Sequence, residues 1–282
     1  MNTLQAIIMG IVQGLSEFLP ISSSGHLVIS SNLYKYFTGV EKAAETNQEV
    51  FLDIMLHLGT LIAVVIYFRK DIHNIFKAIF NAFKTKDYSS EDFKLGVNII
   101  IGTAVTGCVA LPMYAFIEEA LFSPVIVGFL LIGTGFLLIG SEFYSSKLTD
   151  KSDKINIKSS IVIAIAQGIA ALPGFSRSGL TISAGLFCKK DRVTAARYSF
   201  LLSIPIIFGA SMLFPIVKLD FSELASFNWT AIIAGTIVSG IVGYLCIKYF
   251  LQIVGKYSLS FFGYYCLIAG VLTAVFFGIV AR

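Results

Sequence analysis

The sequence predicts an all-α integral membrane protein: six transmembrane helices plus two re-entrant broken-helix hairpins, arranged as an inverted-topology repeat. Three observations predict it. The composition suits a chain whose solvent is mostly lipid, with 56% hydrophobic residues, 13% charged residues and a mean hydropathy of +0.82 over 282 residues; soluble domains carry about a quarter charged residues. The apolar residues fall into six stretches of spanning length. Two further apolar regions are each interrupted near the middle by Pro, Gly and Ser.

In chain order, residues 1–34 form the first interrupted region, cut by LPISSSGH at 19–26. Each half amounts to about 12–14 residues, or roughly 20 Å of helix, which crosses only half a bilayer. Broken backbone at membrane depth is tolerated where it is buried in protein or lines a cavity. Spans follow near 50–68, 95–114 and 120–141. Between the first two, DIHNIFKAIFNAFK at 71–84 reads as an amphipathic helix lying in the membrane surface. The second interrupted region, 159–188, is cut by LPGFSRSG at 172–179, and the last spans lie near 198–217, 229–247 and 260–281.

Charge sets the topology. Arg69, Lys70, Lys77, Lys84, Lys86 and Lys94 lie in one loop, and Lys147, Lys151, Lys154 and Lys158 in another, two spans later. The turn between those spans carries Glu118 and Glu119 and no basic residue. The positive-inside rule places both basic loops in the cytoplasm. If 159–188 dips in and returns, Lys189, Lys190, Arg192 and Arg197 stay on the same side, as do Lys248 and Lys256, so that side holds 16 of the 21 basic residues. Both termini are then expected outside, with 1–34 entering from the external face.

The interrupted regions repeat a pattern. Gln13-Gly14 precedes Gly25, and Gln167-Gly168 precedes Gly179, by the same spacing, with Leu-Pro and Ser-x-Ser-Gly between. Three spans follow each dip, and an odd number inverts the second copy. The chain reads as one membrane domain, 1–282, with repeat 1 at about 1–145 and repeat 2 at about 156–282. The net charge of +4 is modest and dispersed, which argues against nucleic-acid binding. Cys108, Cys188, Cys246 and Cys266 are scattered through apolar stretches and make neither a disulfide framework nor a zinc spacing. The N-terminus lacks the basic segment of a cleavable signal peptide.

Ionisable groups within the apolar regions are Glu17, His26, Asp53, His57 and Arg177. A charge at membrane depth is costly, so each marks a candidate site. Glu17 and Arg177 come from the two broken elements and meet if both dip to the centre. Ser22, Ser23, Ser24, Gly25, Ser176, Ser178 and Gly179 would line the same polar pocket. Arginine's planar fork suits phosphate oxygens, and the half-helix beginning at each Ser-Gly loop aims backbone N–H groups there. Glu17 would repel an anion unless a divalent cation bridges them, Mg²⁺ first and Ca²⁺ as the other candidate. Ser23 and His26 offer a nucleophile and an acid/base partner. The set reads as diphosphate chemistry on a lipid-borne substrate. Competing structural readings are a Glu17–Arg177 pair that only holds helices together, and serines that only satisfy broken backbone. His57, one turn beyond Asp53, reads either as structural support or as part of the site.

QGLSEFLPISSSGHL at 13–27, FLDIMLHLGTLIAVVIYFR at 51–69, QGIAALPGFSRSGLTI at 167–182 and AARYSFLLSIPIIFGA at 195–210 closely resemble the undecaprenyl-diphosphate phosphatase family of the bacitracin-resistance type. The likeness runs through both halves. It implies hydrolysis of undecaprenyl diphosphate to the monophosphate, which returns to peptidoglycan and other envelope pathways. It places the protein in the bacterial plasma membrane, among membrane lipids, with polyprenyl diphosphate as partner. It also implies roles: Gln13 and Glu17 for metal or acid/base work, Ser23 within Pro20–His26 as nucleophile, and Arg177 within Pro173–Gly179 as diphosphate grip. Some members carry Glu where this chain has Gln13, so a two-carboxylate cage is missing here. The nucleophile stays open among Ser23, His26 and water, and a homodimer stays open too. The alternative activity is a polyprenyl-phosphate flippase or anion transporter, because inverted repeats with midplane sites are also transporter anatomy. The topology favours a site that opens externally.

Overall fold

The computed structural model describes residues 2–38, 47–115, 123–218 and 221–280. These residues are almost entirely helical: α1 (Thr3–Ser16), α2 (Ser23–Thr38), α3 (Asn47–Tyr67), α4 (Arg69–Thr85), α5 (Glu91–Ala115), α6 (Pro124–Ser146), α7 (Ile157–Ile169), α8 (Arg177–Phe187), α9 (Arg192–Lys218), α10 (Trp229–Val254) and α11 (Ser260–Val275). Among the described residues there is no strand beyond one bridge, Ser152 to Lys190. Six helices are long and apolar enough to cross a membrane: α3, α5, α6, α9, α10 and α11. They coincide with the six apolar stretches. The spans start earlier than hydropathy alone suggests, because α3, α5 and α9 open on polar turns at Asn47, Glu91 and Arg192. Acidic residues in a first turn suit the positive end of the helix dipole, as Glu49, Glu91 and Asp92 do here. The Glu118–Glu119 turn lies outside the described residues.

Both interrupted regions are pairs of short helices, α1/α2 and α7/α8. Their loops are built alike. Ser22 takes a left-handed backbone conformation (φ 71°), and its hydroxyl oxygen caps α2 by accepting from Gly25 N at 3.1 Å. Gly174 turns the second loop with φ 107°, and Ser176 caps α8 by accepting from Gly179 N at 3.0 Å. Only glycine fits at 174, since a Cβ there would lie 2.9 Å from Val127 Cα. The loops are stitched together: Ser22 Oγ donates to Phe175 O at 3.2 Å, and Ser178 Oγ donates to Leu19 O at 2.9 Å.

Each short leading helix packs on the other half of the chain, α1 on α10 and α7 on α5. Small residues make the first contact close. A Cβ on Gly10 would come within 2.5 Å of Gly235 O, and one on Gly14 within 2.8 Å of Ser239 O. Lipid provides no hydrophobic drive between helices, so backbone approach of this kind and hydrogen bonds hold the bundle. On the α5–α7 side Thr106 Oγ1 donates to Ala164 O at 3.1 Å, and Gln167 Nε2 donates to Thr106 Oγ1 at 3.2 Å. A buried apolar cluster of Phe18, Leu61, Val64, Phe68, Phe200 and Phe250 seals the centre. Beside it, α4 turns Phe76, Phe80 and Phe83 outward on one face, the disposition expected of a helix lying in the lipid boundary.

Candidate active site

The site begins where α1 stops. Glu17 follows the last turn, with its N–H still bonded to Gln13 O at 2.9 Å. Phe18 and the apolar cluster lie behind it, and its carboxylate turns into the junction of the two loops. Three side chains from three helices converge there. Arg177 Nη2 donates to Oε1 at 2.8 Å, Ser23 Oγ donates to Oε2 at 2.6 Å, and Gln13 Nε2 donates to Oε2 at 2.9 Å. Arg177 opens α8 and Ser23 opens α2, so both half-helices start at this carboxylate.

A second layer follows on α3. His57 Nε2 lies 3.8 Å from Glu17 Oε2, while His57 Nδ1 sits 2.8 Å from Asp53 O and 3.6 Å from Asp53 Oδ1. Side-chain exposure rises in order along this path: 6% for Glu17, 17% for Arg177, 27% for His57 and 52% for Asp53. A carboxylate that open cannot face hydrocarbon cheaply. The polar path runs toward the surface of the bundle, in the half of α3 remote from Arg69 and Lys70. His57 thus belongs to the site's surroundings, a role the sequence left open between two readings.

The remaining serines divide. Ser22, Ser176 and Ser178 are spent on capping and on tying the loops together; Ser176 and Ser178 also pair at 3.2 Å. Ser24 Oγ lies 3.4 Å from Ser22 Oγ. Gly25 and Gly179 give the capped N–H groups of α2 and α8. His26 faces away from Ser23. Its Nδ1 donates to Ser22 O at 2.7 Å, leaving Nε2 to accept from Tyr265 OH at 2.7 Å, and the two rings stack at 5.7 Å.

Among the described residues, no three His, Cys, Asp or Glu side chains gather as a metal cage. A hard cation that draws most of its ligands from phosphate and water needs only one or two protein oxygens. Glu17 supplies a carboxylate, and Gln13 Oε1 beside it is buried without a hydrogen-bond partner. This donor set fits that mode of binding and no fuller one.

The sequence reasoning missed one charged cluster. Arg192 grips Glu142 through Nε at 2.8 Å and Nη2 at 2.7 Å, and Ser258 Oγ adds a third donor at 3.0 Å. Glu142 sits in the last turns of α6, where it reads as a loop charge; its burial could have been suspected only from the absence of a break before Ser146.

The family model for the bacitracin resistance protein BacA matches residues 6–272. The chain belongs to the BacA family. Relatives include undecaprenyl-diphosphatases of Methanosphaera stadtmanae (37% identical, covering 98% of each chain), Halothermothrix orenii (39%, covering 99% of this chain and all of the relative) and Methanobrevibacter smithii (40%, covering 99% and 98%). The BacA match spans both broken-helix loops and the α3 segment that carries Asp53 and His57.

Proposed function

We propose that this protein hydrolyses undecaprenyl diphosphate to undecaprenyl phosphate and inorganic phosphate, the activity for which its BacA-family relatives are named. The observation that carries the reading is the convergence of Glu17, Ser23 and Arg177 at the meeting point of two broken helices inside an apolar bundle. Arg177 swings from Glu17 to the diphosphate, which it holds with its planar fork. The N-termini of α2 and α8 add oriented backbone dipoles for the same negative charge. Ser23 Oγ attacks the terminal phosphorus as its proton passes to Glu17, the phosphoanhydride bond breaks, and the lipid monophosphate leaves. Glu17 gives that proton to the departing monophosphate, and the carboxylate so restored takes a proton from water, which attacks the phosphoserine; the Ser23 P–O bond breaks, the proton returns to Ser23 Oγ and phosphate is freed. Gln13 keeps the carboxylate aimed throughout. His26 holds α2 to α11 instead of moving the proton.

Glu17 and Gln13 Oε1 are the residues to hold a divalent cation, Mg²⁺ first, together with substrate oxygens. When bound, such an ion neutralises the charge that builds on the phosphates. The site opens to the exterior, because Asp53 lies in the half of α3 away from the basic loops. The test is phosphate release from undecaprenyl diphosphate by purified protein in detergent, where no gradient exists. Release that vanishes in Arg177→Ala supports the reading, and a folded protein that releases none sinks it in favour of a flippase or transporter.

A further inference from the structure

We infer that a groove between α2 and α11 is the seat of the substrate's isoprenoid chain and selects for chain length; the inference rests on the diphosphatase reading above. The groove measures about 250 Å³ and is walled by Ile29 and Leu33 of α2 and by Leu272, Thr273, Phe276 and Phe277 on the α11 side. Two aromatic contacts bracket it, one from α2 to α11 and one from α2 to Phe276, just past the end of α11. At its inner end the His26 ring stacks on Tyr265, and at its outer end Tyr36 meets Phe276 edge-on at 5.2 Å. The one hydroxyl in the wall is already used, since Thr273 Oγ1 donates to Ala269 O at 2.7 Å. The lining offers a ligand nothing but apolar surface.

Continuity with the reacting centre identifies the occupant. α2 begins at Ser23, and His26, Ile29 and Leu33 follow on one flank of the same helix. At the helical rise, Leu33 lies about 15 Å along the axis from Ser23. A chain esterified to a diphosphate held by Arg177 and Ser23 has to leave the polar pocket. This flank gives it an apolar path that starts where the pocket ends and opens sideways to lipid. The His26–Tyr265 pair then marks the border between the charged site and the tail seat, which explains why both ring nitrogens of His26 are engaged away from Glu17. Burying apolar chain in such a groove is favourable only to the extent that bulk lipid does not offer the same surface. Shape, and so chain length, is what the groove can select.

The experiment compares phosphate release from undecaprenyl diphosphate and from dimethylallyl diphosphate, whose single isoprene unit ends before Ile29. Ile29→Trp and Leu33→Trp fill the groove. Each is expected to lower kcat/KM for the long substrate about tenfold and leave the short one within about twofold, a split of the size a blocked pocket gives. Ile62→Trp, on a lipid-facing position of α3 that is 55% exposed, should change neither. A second measurement guards against slow turnover of the short substrate. Undecaprenyl monophosphate should raise the melting temperature of the unmodified protein in detergent and raise that of Leu33→Trp much less. Equal losses on both substrates, or unchanged long-chain turnover and unchanged stabilisation, overturn the groove assignment; the latter would mean that ordinary phospholipid fills it. Failure of the unmodified protein to hydrolyse either substrate would instead refute the diphosphatase reading on which the groove depends.

Discussion

Glu17 accepts three hydrogen bonds on two oxygens, from Arg177, Ser23 and Gln13. A carboxylate so held can receive the Ser23 proton only if the three partners act as a unit, and units of this kind are not additive. Ser23→Ala and Glu17→Gln are each expected to lower kcat by about a thousandfold or more, and the double variant by no more than the worse single one; a steady-state double-mutant cycle reads this directly. Losses that multiply would mean the two residues serve different steps. The buried, unpartnered Gln13 Oε1 supports a second expectation. Gln13→Glu puts two carboxylates together, which costs stability unless a cation joins them. Its melting temperature in detergent should fall with chelator and recover with Mg²⁺ more than that of the unmodified protein. Recovery no greater than in the parent would remove Gln13 from any cation site. Glu17 and Arg177 were legible in the sequence because isolated charges in apolar stretches are conspicuous. The division of labour among the serines was not, since capping at Ser22 and Ser176 depends on a left-handed turn and on hydrogen-bond direction. The contact of His26 was not legible for a related reason: its partner, Tyr265, lies 239 positions away.

The short helices depend on neighbours that the spans supply. α1 has 14 residues and α8 only 11, lengths at which an isolated helix is marginal. Their packing therefore positions the site. Gly10→Leu would push α1 off Gly235 and carry Gln13 and Glu17 with it. Turnover should fall about a hundredfold, as a displacement near 1 Å does, with a smaller loss in melting temperature. Arg192→Ala is expected to behave in the opposite way. It leaves Glu142, 4% exposed, without its bidentate partner, and breaking such a pair from one side costs about 3–5 kcal/mol. A large drop in thermal stability with an unchanged KM in the surviving protein would confirm that this cluster only ties α6 and α9 together. The six long helices and the two breaks were readable from hydropathy and from Pro-Gly-Ser interruption. What could not be read was that polar first turns such as Arg192–Arg197 belong to the helices, because charge at a helix start looks like loop.

For the molecule as a whole, the polar path from Glu17 through His57 to Asp53 runs from the middle of α3 into its N-terminal half, while basic Arg69 and Lys70 follow its C-terminal end. Lys and Arg mark the cytoplasmic side, so the path should open outside, where a lipid diphosphate released by envelope assembly would meet it. Asp53→Cys and Asp87→Cys test this in a background with Cys108, Cys188, Cys246 and Cys266 replaced by alanine. Asp87 sits in the exposed connection between α4 and α5, beside Lys84 and Lys86. In intact cells a membrane-impermeant maleimide should label residue 53 and spare residue 87, and lysis should expose both. The reverse pattern would invert the topology and move the reaction to the cytoplasmic face. Labelling at both positions in intact cells would show that the chain inserts in two orientations. Residue 53 should also be protected by undecaprenyl monophosphate, because the phosphate held at Arg177 closes the floor of the same path. Labelling of residue 53 that ignores the lipid phosphate would place the open end of α3 outside the substrate's route.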